Sequence, residues 1–400
     1  MQRLLNIGMA FVGYLGASLT LQAGTLLNSP REFIRPPASE AWVTQLRWND
    51  PYRYHFGPLE LAHMYAAPTC LIAQSYGGKL SCLDYQHGYV HWQQDLKRPL
   101  VGNLVAHAGR GYFVSKDGWL MHLGLSTGQI LEKTSLGTSV IAEITYHEGH
   151  LYFLTATHEL WKWNVESREA VWKLQDEIFQ KVTLLGGTRP YVHPDGMVIV
   201  GVPNGGVVAV DSLKGTRRWE VNLPTHEVVD DVDATPVPWE AGQFVISTAY
   251  SSTQLMNAQG KDVLGWSRGA PRSGRVAKIL LSQESLLSQR EGYIQGDLGQ
   301  LRILDLKSGD LLRSLDVPLS WGYPQTPENL DNRFFLFVFS HGPVVVWDIQ
   351  DNRIEEIYSA GVGFSSVPVV QVGKQDVQIY LISNYGGVRR LDLRRDLLFR

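Results

Sequence analysis

Along most of the chain, short apolar runs alternate with tight polar turns, and no segment sustains a helical period of apolar positions. The runs come in pairs. A first run leads into a glycine-containing turn, and a second run closes on Asp or Asn, the signature of a β-hairpin. The closing positions are Asp84, Gly124, Asn164, Asp211, Asn257, Asp305, Asp348 and Asp392, with Gly124 the deviant. Successive separations are 40, 40, 47, 46, 48, 43 and 44 residues. A unit of about 44 residues is the period of a four-stranded propeller blade.

After the closing residue, the best-kept copies place glycine four positions on and tryptophan four further, as in Asp84/Gly88/Trp92 and Asp211/Gly215/Trp219. The third unit keeps Asn164 and Trp172 around Arg168. The second and sixth keep Gly128 and Gly309 but carry Glu132 and Arg313 in the tryptophan slot. In the seventh and eighth, Asn352 and Asp396 replace the glycine, and Glu356 and Arg400 the tryptophan. The fifth is stretched, with Asn257 followed by Trp266. Asp or Asn caps such a turn through backbone amides, and glycine takes its positive-φ position. The tryptophan is a wide plate suited to packing between neighbouring sheets.

These repeats predict an all-β fold, an eight-bladed β-propeller over residues 40–400, because no blade can bury both faces alone. The eighth unit stops at Arg400, barely past its third strand. The run Ala41–Trp48, with Trp42, Thr44, Leu46 and Trp48 on one face, has no hairpin partner beside it. The expectation is that this N-terminal strand completes the last blade and closes the ring, leaving no free edge. Residues 24–39, marked by Pro30, Pro36 and Pro37, read as an extended linker. Residues 1–23 read as an export signal: Arg3, the apolar run Leu4–Leu15, and a cut after Leu21-Gln22-Ala23. No later apolar run is long enough to span a bilayer as a helix, and Phe334–Phe339 reads as a buried strand.

Composition narrows the function. The formal charge is −3 and the sequence pI about 6.5, so nucleic acid, which needs a strongly basic face, is not an expected partner. The two cysteines, Cys70 and Cys82, flank the turn Ser75–Gly78. With a three-residue loop centred on Tyr76 they stand directly opposite and form a candidate disulfide of an oxidising compartment. A two-residue loop breaks that pairing.

The phrase D-x3-G-x3-W resembles the PQQ-type propeller repeat. The segment Val229-Asp230-Asp231-Val232-Asp233-Ala234-Thr235-Pro236-Val237 is similar to the D-V-D-x-T-P-V segment of the BamB family. Val182-Thr183-Leu184-Leu185-Gly186-Gly187 resembles that family's L-S-L-R-G loop. The resemblance covers essentially residues 40–400. It implies a non-catalytic periplasmic scaffold in the assembly of outer-membrane β-barrel proteins, docking through these two loops on a POTRA domain of BamA, with unfolded outer-membrane proteins as further partners. Leu184 matches an apolar anchor, and Asp231 and Asp233 the paired acids. The chain departs at Leu185, where the family carries arginine; Arg189 lies near but is not equivalent. No lipobox cysteine stands near the signal cut, so the resemblance implies a periplasmic protein attached to the outer membrane through its partner. Read from the residues alone, Leu184-Leu185 is a small apolar anchor, and Asp231 and Asp233 offer acceptors either to a partner or to a strand of this chain.

The runner-up is a generic periplasmic propeller that binds another protein; the chemical alternative is a quinoprotein oxidoreductase, a class that shares the propeller. Such enzymes resemble one another in having adjacent cysteines and a calcium held by acids, whereas Cys70 and Cys82 lie twelve positions apart. His147, His150 and His158 flank a surface turn without further ligands of suitable spacing. Asp230, Asp231 and Asp233 lack the calcium-loop spacing. No Ser-His-Asp arrangement or phosphate-binding glycine loop is found. Catalytic residues, metal and cofactor are therefore all expected to be none. Arg389, Arg390, Arg394, Arg395 and Arg400 read as a solvated rim or as a patch for an anionic partner.

Overall fold

The computed structural model describes residues 37–46, 63–75, 77–157, 159–175, 188–224, 231–232, 235–239, 242–248, 253–263, 275–280, 285–290, 298–305, 311–322, 324–325, 327–331, 333–364, 366–374 and 376–398. The fold is an all-β propeller. The first sheet sets the pattern: His63–Ala66, Leu71–Gln74, Lys79–Leu83 and Val90–Asp95 pair antiparallel in chain order. Its two middle strands are almost wholly buried, and the outer strand alternates between exposed and half-buried positions. Buried apolar clusters each draw on two neighbouring sheets, so the core is a set of inter-sheet layers.

Eight four-stranded blades were expected, and the structure corrects this. Seven sheets among the described residues have four strands. The sheet of Val237–Pro238, Phe244–Ser247 and Thr253–Met256 has three. The stretched fifth repeat gives the reason. Its turn closes by a bridge between Met256 and Asp262, and the Val263 N–H donates to the Leu255 carbonyl at 2.8 Å. A fourth strand is begun there without continuing among the described residues, and Trp266 lies outside them.

The last sheet pairs Ala38–Gln45 with Gly387–Arg394, followed by Asp376–Ile382 and Val369–Val372. The strand begins at Ala38 rather than Ala41, so two residues expected in the linker belong to it; Trp48 lies outside the described residues. Trp42, Thr44 and Leu46 do share the inward face.

The repeat phrase works across neighbouring units, not within one. An added Cβ on Gly128 would lie 2.4 Å from the Trp92 ring, on Gly215 2.6 Å from Trp172, and on Gly260 2.8 Å from Trp219. Each indole therefore lies flat on the next sheet's turn glycine. Each Nε1 also donates to a carbonyl of that turn: Trp92 to Leu125 at 3.2 Å, Trp172 to Ser212 at 3.0 Å and Trp219 to Ala258 at 2.8 Å. Trp42 does the same to the first sheet, its ring 2.5 Å from a Cβ built on Gly88 and its Nε1 donating to the Tyr85 carbonyl at 3.2 Å. The tryptophan missing at Arg400 is thus matched by Trp42 from the other end of the chain.

Where the plate is absent, both halves of the latch have changed. Glu132 pairs with Arg168, the residue in the next sheet's glycine slot, at 3.0 Å. Arg313 donates to the Gln350 carbonyl at 2.8 Å, beside Asn352. Arg168 and Asn352 both adopt the left-handed backbone that glycine takes elsewhere.

The closing acids cap their turns as expected. Asp84 Oδ1 accepts the N–H groups of Gln86 and His87, Asp211 those of Leu213 and Lys214, and Asp348 those of Gln350 and Asp351. The Lys214 N–H, and after it Arg218, hold Asp211 down at about 2 from an ordinary 3.8. A carboxyl lowered by folding contributes stability that is complete above its unfolded value and is lost as pH falls through the folded one. Asp211→Ala is expected to cost about 1–2 kcal/mol at pH 7. That difference from wild type should shrink between about pH 4 and pH 2, as read by denaturant unfolding across that range.

Cys70 and Cys82 form a disulfide, with Cα atoms 5.7 Å apart and both side chains buried. The pairing argument needs correction, because the register sets Cys82 opposite Ile72 and Leu83 opposite Leu71. The connection from Gln74 to Lys79 is longer than the three-residue loop assumed, and the bond runs diagonally from a residue just before the strand. Intact mass should rise by two hydrogens on reduction. Cys82→Ala should lower stability by about 2–4 kcal/mol in unfolding measurements.

Candidate docking surface

Thr188, the first described residue after one of the segments singled out by sequence, meets Val232 of the other beside the strand Met197–Gly201. Thr188 is buried, and its hydroxyl sits 2.6 Å from the Val232 carbonyl oxygen and 3.0 Å from that of Gly201, donating between them. The Val232 N–H points back to the Val202 carbonyl at 3.4 Å. Gly201 makes this approach feasible: a Cβ there would lie 2.4 Å from Val232 Cγ1 and 2.5 Å from the Thr188 hydroxyl. The hairpin of Gly201 then turns through Asn204 and Gly205, both at positive φ. Asp231 caps that turn, its Oδ1 accepting the Asn204 N–H at 3.2 Å.

Of the expected site residues, Arg189 and Asp231 fall within the described residues; Leu184, Leu185 and Asp233 lie outside them. Arg189 is exposed between buried Thr188 and buried Pro190. Asp231 is 1% exposed and bonds to the Asn204 turn between the strands Met197–Gly201 and Gly206–Asp211. Its Oδ1 accepts a hydrogen bond from a turn of this chain. Sequence reading passed over Thr188 and Gly201. A threonine and a glycine thirteen residues apart carry no local signal, since their meaning depends on a third segment reaching the same spot.

The other constellations are also tied up internally. His147 faces His150 across the turn Glu148–Gly149, and His150 Nδ1 lies 2.8 Å from the Glu148 carbonyl oxygen; His158 lies outside the described residues. Burial, only partly opposed by hydrogen bonding to Glu148, holds His150 below the ordinary histidine value. Among the described residues, no group of three His, Cys, Asp or Glu side chains is placed to hold a metal ion. Arg390 grips Asp392 with two bonds of 2.7 and 3.1 Å, and Arg394 pairs with Asp396 at 2.9 Å. Arg395 donates to the carbonyls of Gly373 and Lys374. Arg389 donates to the Tyr358 hydroxyl at 2.9 Å. That phenol is pushed up to about 12, first by burial and then by its bond to Glu40. The arginines described here fasten the last sheet, and Arg400 lies outside the described residues. No helix among the described residues is long and apolar enough to cross a membrane.

Comparison with known proteins gives a consistent picture. Residues 69–315 match the family described as outer membrane protein assembly factor BamB. The curated outer membrane protein assembly factor BamB of Bordetella pertussis is 22% identical over 192 residues. That match takes in 46% of this chain and 49% of the relative, so the chain spans about half the length of the curated protein it matches. Among solved structures, BamB from Moraxella catarrhalis superposes with a TM-score of 0.68 at 15% identity, over 89% of this chain and all of that one (100%). A quinohemoprotein alcohol dehydrogenase from Comamonas testosteroni gives 0.63 at 11% identity, over 90% of this chain and 77% of its own. At these identities the superpositions establish the fold alone.

Proposed function

The chain belongs to the outer membrane protein assembly factor BamB family, and from that premise we propose that it is a non-catalytic docking scaffold for outer-membrane β-barrel assembly. In this reading it is exported by residues 1–23, linked through the residues ahead of Ala38, and held at the outer membrane through a BamA-like POTRA domain. The observation that supports the reading is the contact beside Gly201, where the Thr188 hydroxyl reaches the carbonyl of Val232 in the D-V-D-x-T-P-V-like segment. An exposed Arg189 at that junction offers a bidentate donor to a partner carboxylate. Leu184 supplies the apolar anchor and Asp233 an acid of the interface. The strand Ala38–Gln45 acts as the seal of the ring, bringing the chain's ends together.

The test is capture on an immobilised periplasmic fragment of BamA. Wild-type protein should be retained, and a variant carrying both Leu184→Ala and Asp233→Ala should lose at least tenfold in affinity, the loss of about 1.4 kcal/mol or more. Retention undiminished in the double variant removes both residues from the interface. Dye-linked alcohol oxidation on adding quinone and calcium would replace the scaffold with the enzyme reading.

A further inference from the structure

We infer that Thr188 is a positioning residue for the docking surface, and that Asp231 acts inward through the Asn204 turn rather than by touching the partner. The inference rests on the docking reading above but concerns residues to which that reading gives other roles or none. Three segments meet at one point: Thr188 leading into its sheet, Gly201 ending an inner strand, and Asp231-Val232 leaving the same sheet. One hydroxyl proton is shared between two carbonyl oxygens of different segments, at 2.6 and 3.0 Å. A residue with a side chain at position 201 would force Val232 away, because the nearest atoms would lie 2.4 Å from its Cβ. Asp231 then fixes the Asn204 turn against the same segment. At 1% exposure its carboxylate has no room for a partner group without the segment opening. Thr188 is fully buried as well. Among the described residues, Arg189 is exposed at this junction, and its backbone follows directly from the clamped threonine. Loosening the clamp would leave Arg189 present but no longer held in register with the Asp231-Val232 segment.

The experiment uses the full mature chain with Thr188→Val, Thr188→Ser and Asp231→Asn. Valine keeps the shape and removes the donor; serine keeps the donor. Asparagine keeps an oxygen that accepts the Asn204 N–H but removes the charge. Two readouts are taken on every protein: hydrogen exchange at the Val232 and Asn204 amides, and retention on the BamA periplasmic fragment. Thr188→Val should speed exchange at those amides by about three- to tenfold and weaken retention by a similar factor, as expected for one net hydrogen bond. The global unfolding midpoint should shift little, and Thr188→Ser should restore both readouts. Asp231→Asn should retain the fragment within about threefold.

Unchanged exchange in Thr188→Val overturns the clamp, whatever happens to retention. Faster exchange with unchanged retention overturns its positioning role. A loss of retention in Asp231→Asn beyond tenfold, with exchange unchanged, makes the charge a direct contact and overturns the inward assignment. Failure of the wild-type chain to bind the fragment overturns both the docking reading and the positioning role; the exchange arm then still reports whether the clamp itself exists.

Discussion

Removing residues 38–46 is expected to lower the unfolding midpoint of the whole propeller rather than fray one edge. The strand makes seven register pairs with Gly387–Leu393. It also sets Trp42 on Gly88 and hands the Thr44 hydroxyl to the Gly88 carbonyl at 2.6 Å. Leu46 is buried in the same cluster as Met64 and Leu71 of the first sheet and Tyr380 and Ile382 of the last. Losing one large buried aromatic alone costs about 3–5 kcal/mol. A domain typically has only about 5–15 kcal/mol in hand, so the full deletion should abolish cooperative folding near physiological temperature. Trp42→Ala should give a fraction of that effect, with the circular-dichroism spectrum retained. An unchanged midpoint in the deletion would show that the ring does not depend on the strand as its seal.

The second large effect is expected at Trp347. Its side chain is 0% exposed, among Leu301, Ile303, Phe335, Phe337 and Phe339, and its Nε1 donates to Asn352 Oδ1 at 3.2 Å. The preceding sheet carries Arg313 in the tryptophan slot, so the wide plate between these two sheets comes from the following sheet instead. The same exchange occurs one earlier place in the ring. Glu132 fills the slot there, and Trp161 and Trp163 lie stacked 6.5 Å apart in the layer between those sheets. Trp347→Ala should cost about 3–5 kcal/mol by chemical unfolding. Arg313→Ala, whose guanidinium is exposed and makes one hydrogen bond to a carbonyl, should cost less than about 1 kcal/mol. Equal losses would mean that the polar latch, not the indole, holds the sheets together.

Much of the architecture was legible because the period is written in residues with special backbone or capping chemistry. Asp84, Asn164 and Asp211 do what short polar side chains do at turns, and Gly88, Gly128 and Gly215 occupy positive-φ positions. The tryptophan code was only half legible. Trp92 and Gly88 stand four apart in sequence, yet Trp92 packs on Gly128, so the pair that varies together is split between two repeats. The incomplete fifth sheet was foreshadowed by the stretch between Asn257 and Trp266. A further regularity went unread: Ser75, Ser115, Thr155 and Ser383 each accept the N–H four residues on, tying the turn between second and third strands. It is visible in Ser-x-x-Gly at Ser75, Ser115 and Ser383 once the turn is known. The proposed docking surface was legible only through resemblance, because Thr188, Gly201 and Asp231 come together in a three-way meeting that no linear spacing encodes.

The contact between Gln45 and Tyr385 joins residues 340 positions apart. A ribosome or a translocation pore delivers the first of these long before the last. The pairing of Ala38–Gln45 with Gly387–Leu393 can therefore form only once the chain is nearly complete. A chain stopped upstream of Gly387 would leave Ala38–Gln45 without the strand it pairs with, and an unpaired strand edge of that kind favours aggregation.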